Sequence, residues 1–232
     1  MDLSVLEKKI SVQFKNINLL KEALTHRSYL NENSAWGLSN NERLEFLGDA
    51  ILELIVTEEL FNLYPKSTEG ELTSIRAALV NYQMLSEAAK NIDLNEFILL
   101  SRGESKDMGK ARDVILANAF EALLGAIYLD GGYKSAEAFI KNHLIKYLAK
   151  IIEEKLYKDP KSLLQEIAQE KFKVTPTYLV ISESGLDHAK IFNIGVYFSD
   201  KLIAEGEGSS KQEAEVEAAR KALENKDLLK KS

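Results

Sequence analysis

Four carboxylates recur at three- and four-residue intervals in Asn41-Glu-Arg-Leu-Glu-Phe-Leu-Gly-Asp-Ala-Ile-Leu-Glu53. At about 100° per residue, a helix places Glu42, Glu45, Asp49 and Glu53 within roughly 80° of one another and Leu44, Leu47, Ile51 and Ile55 on the opposite side. Most such faces are simply solvated. Two residues set this one apart. Gly48 in mid-helix costs about 1 kcal/mol relative to Ala and implies a close backbone approach, and Phe46 shares the carboxylate side, where water is otherwise expected. A second stretch, Ile115 to Leu129, is apolar nearly all round and reads as a buried helix, yet it carries Asn118 and Glu121 on one face. A carboxylate on a buried helix needs a partner. If the two helices pack with Asn118 and Glu121 facing Glu45 and Asp49, a divalent cation would relieve the mutual repulsion of the clustered oxygens. Hard oxygen ligands favour Mg2+ or Mn2+.

The elements that must hold these residues are helical. From Val5 to Lys150 apolar residues return at threes and fours, with only Pro65 to interrupt, so this half reads as all-α. A charged helix end followed by Pro160 disfavours α-structure at Asp159 and marks a boundary. Residues 1–152 are expected as one domain, 153–158 as a linker, 159–228 as a second domain and 229–232 as a tail. In the second part the pattern becomes a helix over about 161–171, extended runs at 177–182, 192–198 and 202–205, and a helix over about 210–224. That α-β-β-β-α order suits a small two-layer α+β module with both helices on one face of an antiparallel sheet.

Composition bounds the function. The 232 residues are 45% hydrophobic and 28% charged, the balance of an ordinary globular chain, and there is no Cys to supply a disulfide, a thiolate nucleophile or a thiolate metal site. The N-terminus lacks a secretory signal pattern. The longest unbroken apolar run, Ala122 to Leu129, is eight residues, so neither a membrane span nor a membrane partner is expected and a cytoplasmic location is. A net charge of −6 argues against bulk electrostatic attachment to nucleic acid, and the balance is acidic in both halves, so any such contact must come from local patches.

Asn-Glu-Arg-Leu-Glu-Phe-Leu-Gly-Asp at 41–49 resembles the signature of the ribonuclease III family, endonucleases of double-stranded RNA. Leu24-Thr-His-Arg-Ser-Tyr29 before it, the run Glu69 to Val80 after it and Ile115 to Asp130 closing the domain fall in the family's order. The resemblance covers essentially the whole chain and implies an all-α nuclease domain followed by a double-stranded-RNA-binding domain. It implies metal-assisted phosphodiester hydrolysis with Mg2+, for which Mn2+ can substitute, leaving 5′-phosphate and 3′-hydroxyl ends on ribosomal and other structured precursor RNA. Carried over residue by residue, the metal ligands are Glu45, Asp49, Asn118 and Glu121, with Asp49 and Glu121 catalytic and Glu42 and Glu69 accessory acidic residues. Asn118 stands where the family has Asp. It offers an amide oxygen without charge, which should lower metal affinity and motivates an alternative, a binding protein with impaired cleavage. The resemblance also implies a homodimer, with Phe46 inserted into the partner subunit; ordinary core filling is the other reading of Phe46. His26 reads as a structural hydrogen-bonding residue rather than a base.

In the second half, Ser162, Gln165, Glu166 and Gln169 share a helical face opposite Leu163, Leu164 and Ile167, and polar side chains of this kind suit 2′-hydroxyls in a wide minor groove, although a solvated face looks similar. Gly206-Glu-Gly-Ser-Ser-Lys-Gln212 opens the last helix, where Ser210, Lys211 and free backbone N–H groups can hold phosphates. Gly206 and Gly208 begin a G-x-G-x-x-G pattern, but position 211 is Lys and a β-β-α ending is the wrong setting for a dinucleotide. Gly185 to Lys190 resembles the family's loop into the next minor groove, with His188 as the contact. The acidic residues after Lys211 predict weaker, more salt-sensitive binding than a strongly basic relative would show.

Overall fold

The computed structural model describes residues 2–106, 109–185 and 190–225. The chain divides into two compact units, Met1–Tyr157 and Lys158–Ser232. Tyr157 packs against the first core and its hydroxyl reaches Glu71, so most of the stretch expected as a linker lies with the first unit.

Among the described residues of the first unit the regular structure is helical: α1 (Ser4–Ile10), α2 (Ile17–Ala23), α3 (Arg27–Glu32), α4 (Glu42–Leu63), α5 (Glu69–Leu79), α6 (Tyr82–Asn91), α7 (Lys110–His143) and α8 (Leu148–Glu153), with short 3-10 turns between. The centre is α7, whose run from Ile115 to Ile127 is buried except at Asn118 and Glu121. By length and composition this helix could cross a bilayer, but most of its apolar window is covered by protein. Leu52, Ile55 and Val56 of α4 and Leu85 and Ala89 of α6 belong to the same core. Burying each large apolar side chain contributes roughly 1.5–3 kcal/mol. Gly132, at φ 74°, breaks α7 about two thirds of the way along, in a conformation that glycine adopts without strain. Just before it, Asp130 accepts the backbone N–H groups of Lys15 (2.9 Å) and Asn16 (2.8 Å), which fixes the start of α2 against α7.

The second unit is an antiparallel sheet in the order β1-β2-β3, with β1 (Pro176–Ser184), β2 (Ile191–Phe198) and β3 (Lys201–Gly208). It is flanked by α9 (Pro160–Ile167) and α10 (Lys211–Glu224). Leu164 and Ala168 meet Val196, Phe198 and the alanine stripe Ala218, Ala219 and Ala222 in one core. This is the α-β-β-β-α order expected from the sequence. The first helix is shorter than its pattern suggested: after Ile167 the backbone widens into a π turn over Ala168–Phe172, so Gln169 sits on that turn. Small residues permit the close packing of α10. A Cβ on Gly206 would lie 2.1 Å from the Ala218 backbone nitrogen, and one on Gly208 would lie 2.5 Å from that of Ala214.

Candidate active site and RNA-binding surface

The carboxylate helix is held at its start by a polar strap. Asn41, 2% exposed, donates its backbone N–H to the Thr25 carbonyl (2.9 Å) and its amide to the Ala23 carbonyl (3.4 Å). Thr25, fully buried, accepts from the Trp36 indole (3.2 Å) and donates to the Lys21 carbonyl (2.7 Å). His26 caps α3, its Nδ1 2.8 Å from the Ser28 hydroxyl, and burial lowers its pKa. That is the structural role read from the sequence. Asn41 and Thr25 were not singled out there, since their partners are distant in sequence or belong to the backbone.

From this anchor α4 runs against α7 at backbone contact. A Cβ on Gly48 would lie 1.8 Å from the Glu121 carbonyl oxygen, and one on Gly125 would lie 2.3 Å from the Leu44 carbonyl oxygen. The two glycines therefore seat each helix on the other, and the close approach inferred from Gly48 is at Glu121 itself. Glu45, Asp49 and Glu121 fall within electrostatic reach of one another. Glu121, half-buried, is pushed from 4.5 up to about 8, first by desolvation and then by Asp49, Glu45 and Glu53. Burial also raises Glu45, helped by Glu42 and Asp49, while Asn118 opposes the shift by donating a hydrogen bond to its carboxylate. Glu42 rests outside, near Arg27 (3.6 Å) and accepting from Asn40 (3.1 Å). A cleft of about 490 Å3 opens beside them, lined by Arg27, Glu42, Glu45, Glu104 and Asn118 among others.

Two further carboxylates bear on the site from outside the cluster or at its edge. Glu69 stands apart at the first turn of α5, bonded to Thr73 (3.2 Å) and lining a different cleft with Thr57, Phe61 and Arg76. Glu53, left out of the expected site, adds its charge to the field at Glu121 while paired with Arg76 at 2.8 Å. Its place on the α4 carboxylate stripe was the available signal. Phe46 is 82% exposed, so it does not fill the protomer's own core. Leu54 (56%) and Phe61 (70%) lie within about 80° of it around α4 and extend an apolar stripe.

Among the described residues no three acidic or histidine side chains converge tightly enough to grip an ion as they stand. The donor set nonetheless suits a hard divalent cation. It is all oxygen, and a carboxylate whose pKa reaches about 8 is one whose charge lacks compensation. A cation or a proton supplies what is missing.

In the second unit Ser162, Gln165, Glu166 and Gln169 are all exposed. The Ser162 hydroxyl donates to the capping Asp159 (3.0 Å), and Glu166 accepts from Lys158 (2.6 Å). Ser210 caps α10 by accepting the Glu213 N–H (3.1 Å), and the Glu213 carboxylate accepts from the N–H of Ser209, one residue before the cap (2.9 Å). Lys211 is exposed at the first position of that helix. His188 lies outside the described residues.

Comparison with known proteins places these features in a class. A family model described as Ribonuclease-III-like matches residues 16–148, and one described as Double-stranded RNA binding motif matches residues 160–226. The fold is thus an all-α ribonuclease-III-like domain followed by a double-stranded-RNA-binding domain. The chain is 45% identical to Ribonuclease 3 of Borreliella afzelii over 95% of its own length and 90% of that protein's. It is 44% identical to Ribonuclease 3 of Desulforamulus reducens, covering 98% and 92%. The crystal structure of the nuclease domain of ribonuclease III from Campylobacter jejuni matches with 41% identity and a TM-score of 0.56, covering 62% of this chain and 95% of that one. The chain belongs to the ribonuclease III family.

Proposed function

We propose that this protein is a divalent-cation-dependent endonuclease of double-stranded RNA, acting on structured precursors such as ribosomal RNA. The observation that carries the reading is the seating of Glu121 on α4 at Gly48, which gathers Glu45, Asp49 and Asn118 around it, in a chain that also carries a double-stranded-RNA-binding domain. Glu45, Asp49, Asn118 and Glu121 would hold Mg2+, or Mn2+ in its place. When bound, the cation lowers the pKa of a water and stabilises charge on the phosphoryl and leaving oxygens, which leaves 5′-phosphate and 3′-hydroxyl ends. Asp49 and Glu121 serve the chemistry directly. Glu45 is held toward the cluster by the Asn118 amide, and Glu42 carries negative charge at the mouth. Glu69 would act near the RNA from its separate position on α5. In the second unit Ser162, Gln165, Glu166 and Gln169 face the minor groove, Ser210 and Lys211 the phosphates, and His188 the next minor groove.

The working form is a homodimer. The exposed stripe of Phe46, Leu54 and Phe61 is the kind of apolar surface that soluble monomers avoid, and Phe46 would enter the partner. The nuclease domain of the Campylobacter jejuni relative has a region involved in dimer formation.

The test is cleavage of a long RNA duplex with Mg2+ by wild type and Glu121→Gln. The variant should bind the duplex nearly as tightly and fail to cut. Cleavage by the variant at saturating Mg2+ would refute the site. A second reading, a binding protein with impaired cleavage, rests on the uncharged Asn118; absence of cutting by wild type with either Mg2+ or Mn2+ would favour it.

A further inference from the structure

Glu183, near the end of β1, ties together two lysines from different elements. One carboxylate oxygen lies 3.6 Å from Nζ of Lys190, at the entry to β2, and the other 3.4 Å from Nζ of Lys211, at the start of α10. The Lys211 ammonium also sits 5.6 Å from the centre of the Phe192 ring. Glu183 and Phe192 are register partners between β1 and β2, and Phe192 pairs in turn with Gly208, where β3 ends before the chain enters α10. The sheet register therefore builds the corner: a ring and a carboxylate side by side, with Lys190 at the carboxylate and Lys211 reaching both.

We propose that Glu183 is a resident anion at this corner, holding Lys190 and Lys211 together where an RNA backbone phosphate takes its place, and that its charge sets duplex affinity. The proposal rests on the assignment of Lys211 to phosphate made above. Its physical basis is the looseness of the pairing. Both N–O distances exceed the roughly 2.7–3.2 Å of a well-formed hydrogen bond, and all three side chains are more than a third exposed, so the pairs do little for the fold and open readily. A phosphate reaching the same two ammoniums would meet the carboxylate's like charge. With Glu183 present the triad carries one net positive charge; with Gln in its place it carries two. A unit charge removed about 6 Å from a phosphate in water is worth a factor of about three in affinity. Lysines already neutralised by a carboxylate also release fewer counterions on binding RNA, so acidic neighbours weaken binding but make its salt dependence shallower, the reverse of the salt sensitivity expected from the residues after Lys211.

The test uses the full chain in buffer free of divalent cations, so that nothing is cut, and a duplex longer than the roughly 16 base pairs that such a module spans. Dissociation constants are measured across a salt series for wild type, Glu183→Gln, Lys211→Ala, Lys190→Ala and Glu183→Gln in the double lysine background. Glu183→Gln should bind about three-fold tighter at low salt, with a steeper salt dependence and an unchanged melting temperature. The gain should shrink as salt screens the corner and vanish without the lysines. Equal or weaker binding by Glu183→Gln, while Lys211→Ala binds less well, overturns the proposal and leaves the phosphate assignment standing. If Lys211→Ala binds like wild type, the phosphate assignment itself has failed, and the proposal falls with it.

Discussion

Replacing Asn118 by Asp tests the proposed site at the residue that sets an uncharged amide beside the carboxylates. In the metal-free protein Asn118 donates a hydrogen bond to the Glu45 carboxylate, and Glu121 lies one helical turn further along α7. The substitution removes that donor, at a cost of about 1.5–3 kcal/mol for a hydrogen bond to a charged group. It also adds a negative charge about 5–6 Å from Glu121, the spacing of an i,i+3 pair. With an effective dielectric constant between 20 and 80, each like-charge contact at that range costs about 0.7–3 kcal/mol, with water access favouring the lower end. A net loss of about 2–4 kcal/mol is expected without metal, which for a unit of this size lowers the melting temperature by roughly 5–15 °C.

Added Mg2+ should narrow that gap without closing it. A fourth charged ligand raises affinity, and a tenfold tighter site adds about 1.4 kcal/mol of stabilisation at saturation. The expected outcome is a metal-induced rise in melting temperature larger for Asn118→Asp than for wild type, with half-maximal cleavage at about one tenth of the Mg2+ concentration. The assay is a melting curve with and without Mg2+ beside a Mg2+ titration of duplex cleavage. If Asn118→Asp is as stable as wild type without metal, residue 118 does not face the carboxylates. If it is destabilised but its Mg2+ dependence is unchanged, residue 118 faces the carboxylates but not the ion, and its place among the ligands falls.

Three further outcomes follow from the same packing. Since the Glu121 pKa rises from 4.5 to about 8, the folded state binds more protons than the unfolded state between those values, and the metal-free protein loses stability as pH rises through that window. Glu121→Gln should therefore gain nothing below pH 4.5 and gain about 2–3 kcal/mol by pH 8, after allowance for partial exposure; a pH-independent difference in melting would refute the shift. Gly48→Ala drives a methyl into the Glu121 carbonyl and should cost at least about 3 kcal/mol, whereas Gly70→Ala, with nothing within 4 Å, should be neutral or slightly stabilising; similar melting of the two variants would show that α4 and α7 do not touch at Gly48. Residues 1–157 alone should fold as a dimer and cut poorly at physiological salt, with partial recovery at low salt; equal cleavage at both would show that the second unit contributes nothing to RNA capture.

What was legible in the sequence was whatever a single element reports about itself. The 3.6-residue period separated the carboxylates of α4 from Leu44 and Ile51, and strict alternation marked the strand at Phe192 to Phe198. Contacts between elements were legible only where chemistry left an anomaly: a glycine inside a helix at position 48, a carboxylate on a buried helix at position 121. The strap through Thr25 and Asn41 left no such trace, because a buried Thr and Asn satisfied by backbone carbonyls look like any loop residues. Glu69 could not be placed by spacing, since its distance from the cluster depends on the angle at which α5 leaves α4. Glu183 was invisible for the same reason, meeting Lys211 only through the register of three strands.

The glycines also explain why the charge at the site is not relieved by movement of the helices. Repelling carboxylates on two helices ordinarily relax by a small separation of the helices, but here Gly48 meets the Glu121 backbone and Gly125 meets that of Leu44, so separation would open this backbone contact and the core beside it. Asn118 removes part of the strain by donating to Glu45 in place of adding a charge. The remainder falls on Glu121, whose pKa is pushed up to about 8 by burial and by Asp49, Glu45 and Glu53. Close helix packing thus holds the carboxylates in a form whose neutralisation is completed from outside, by a proton or, in the function proposed above, by a cation that arrives before RNA.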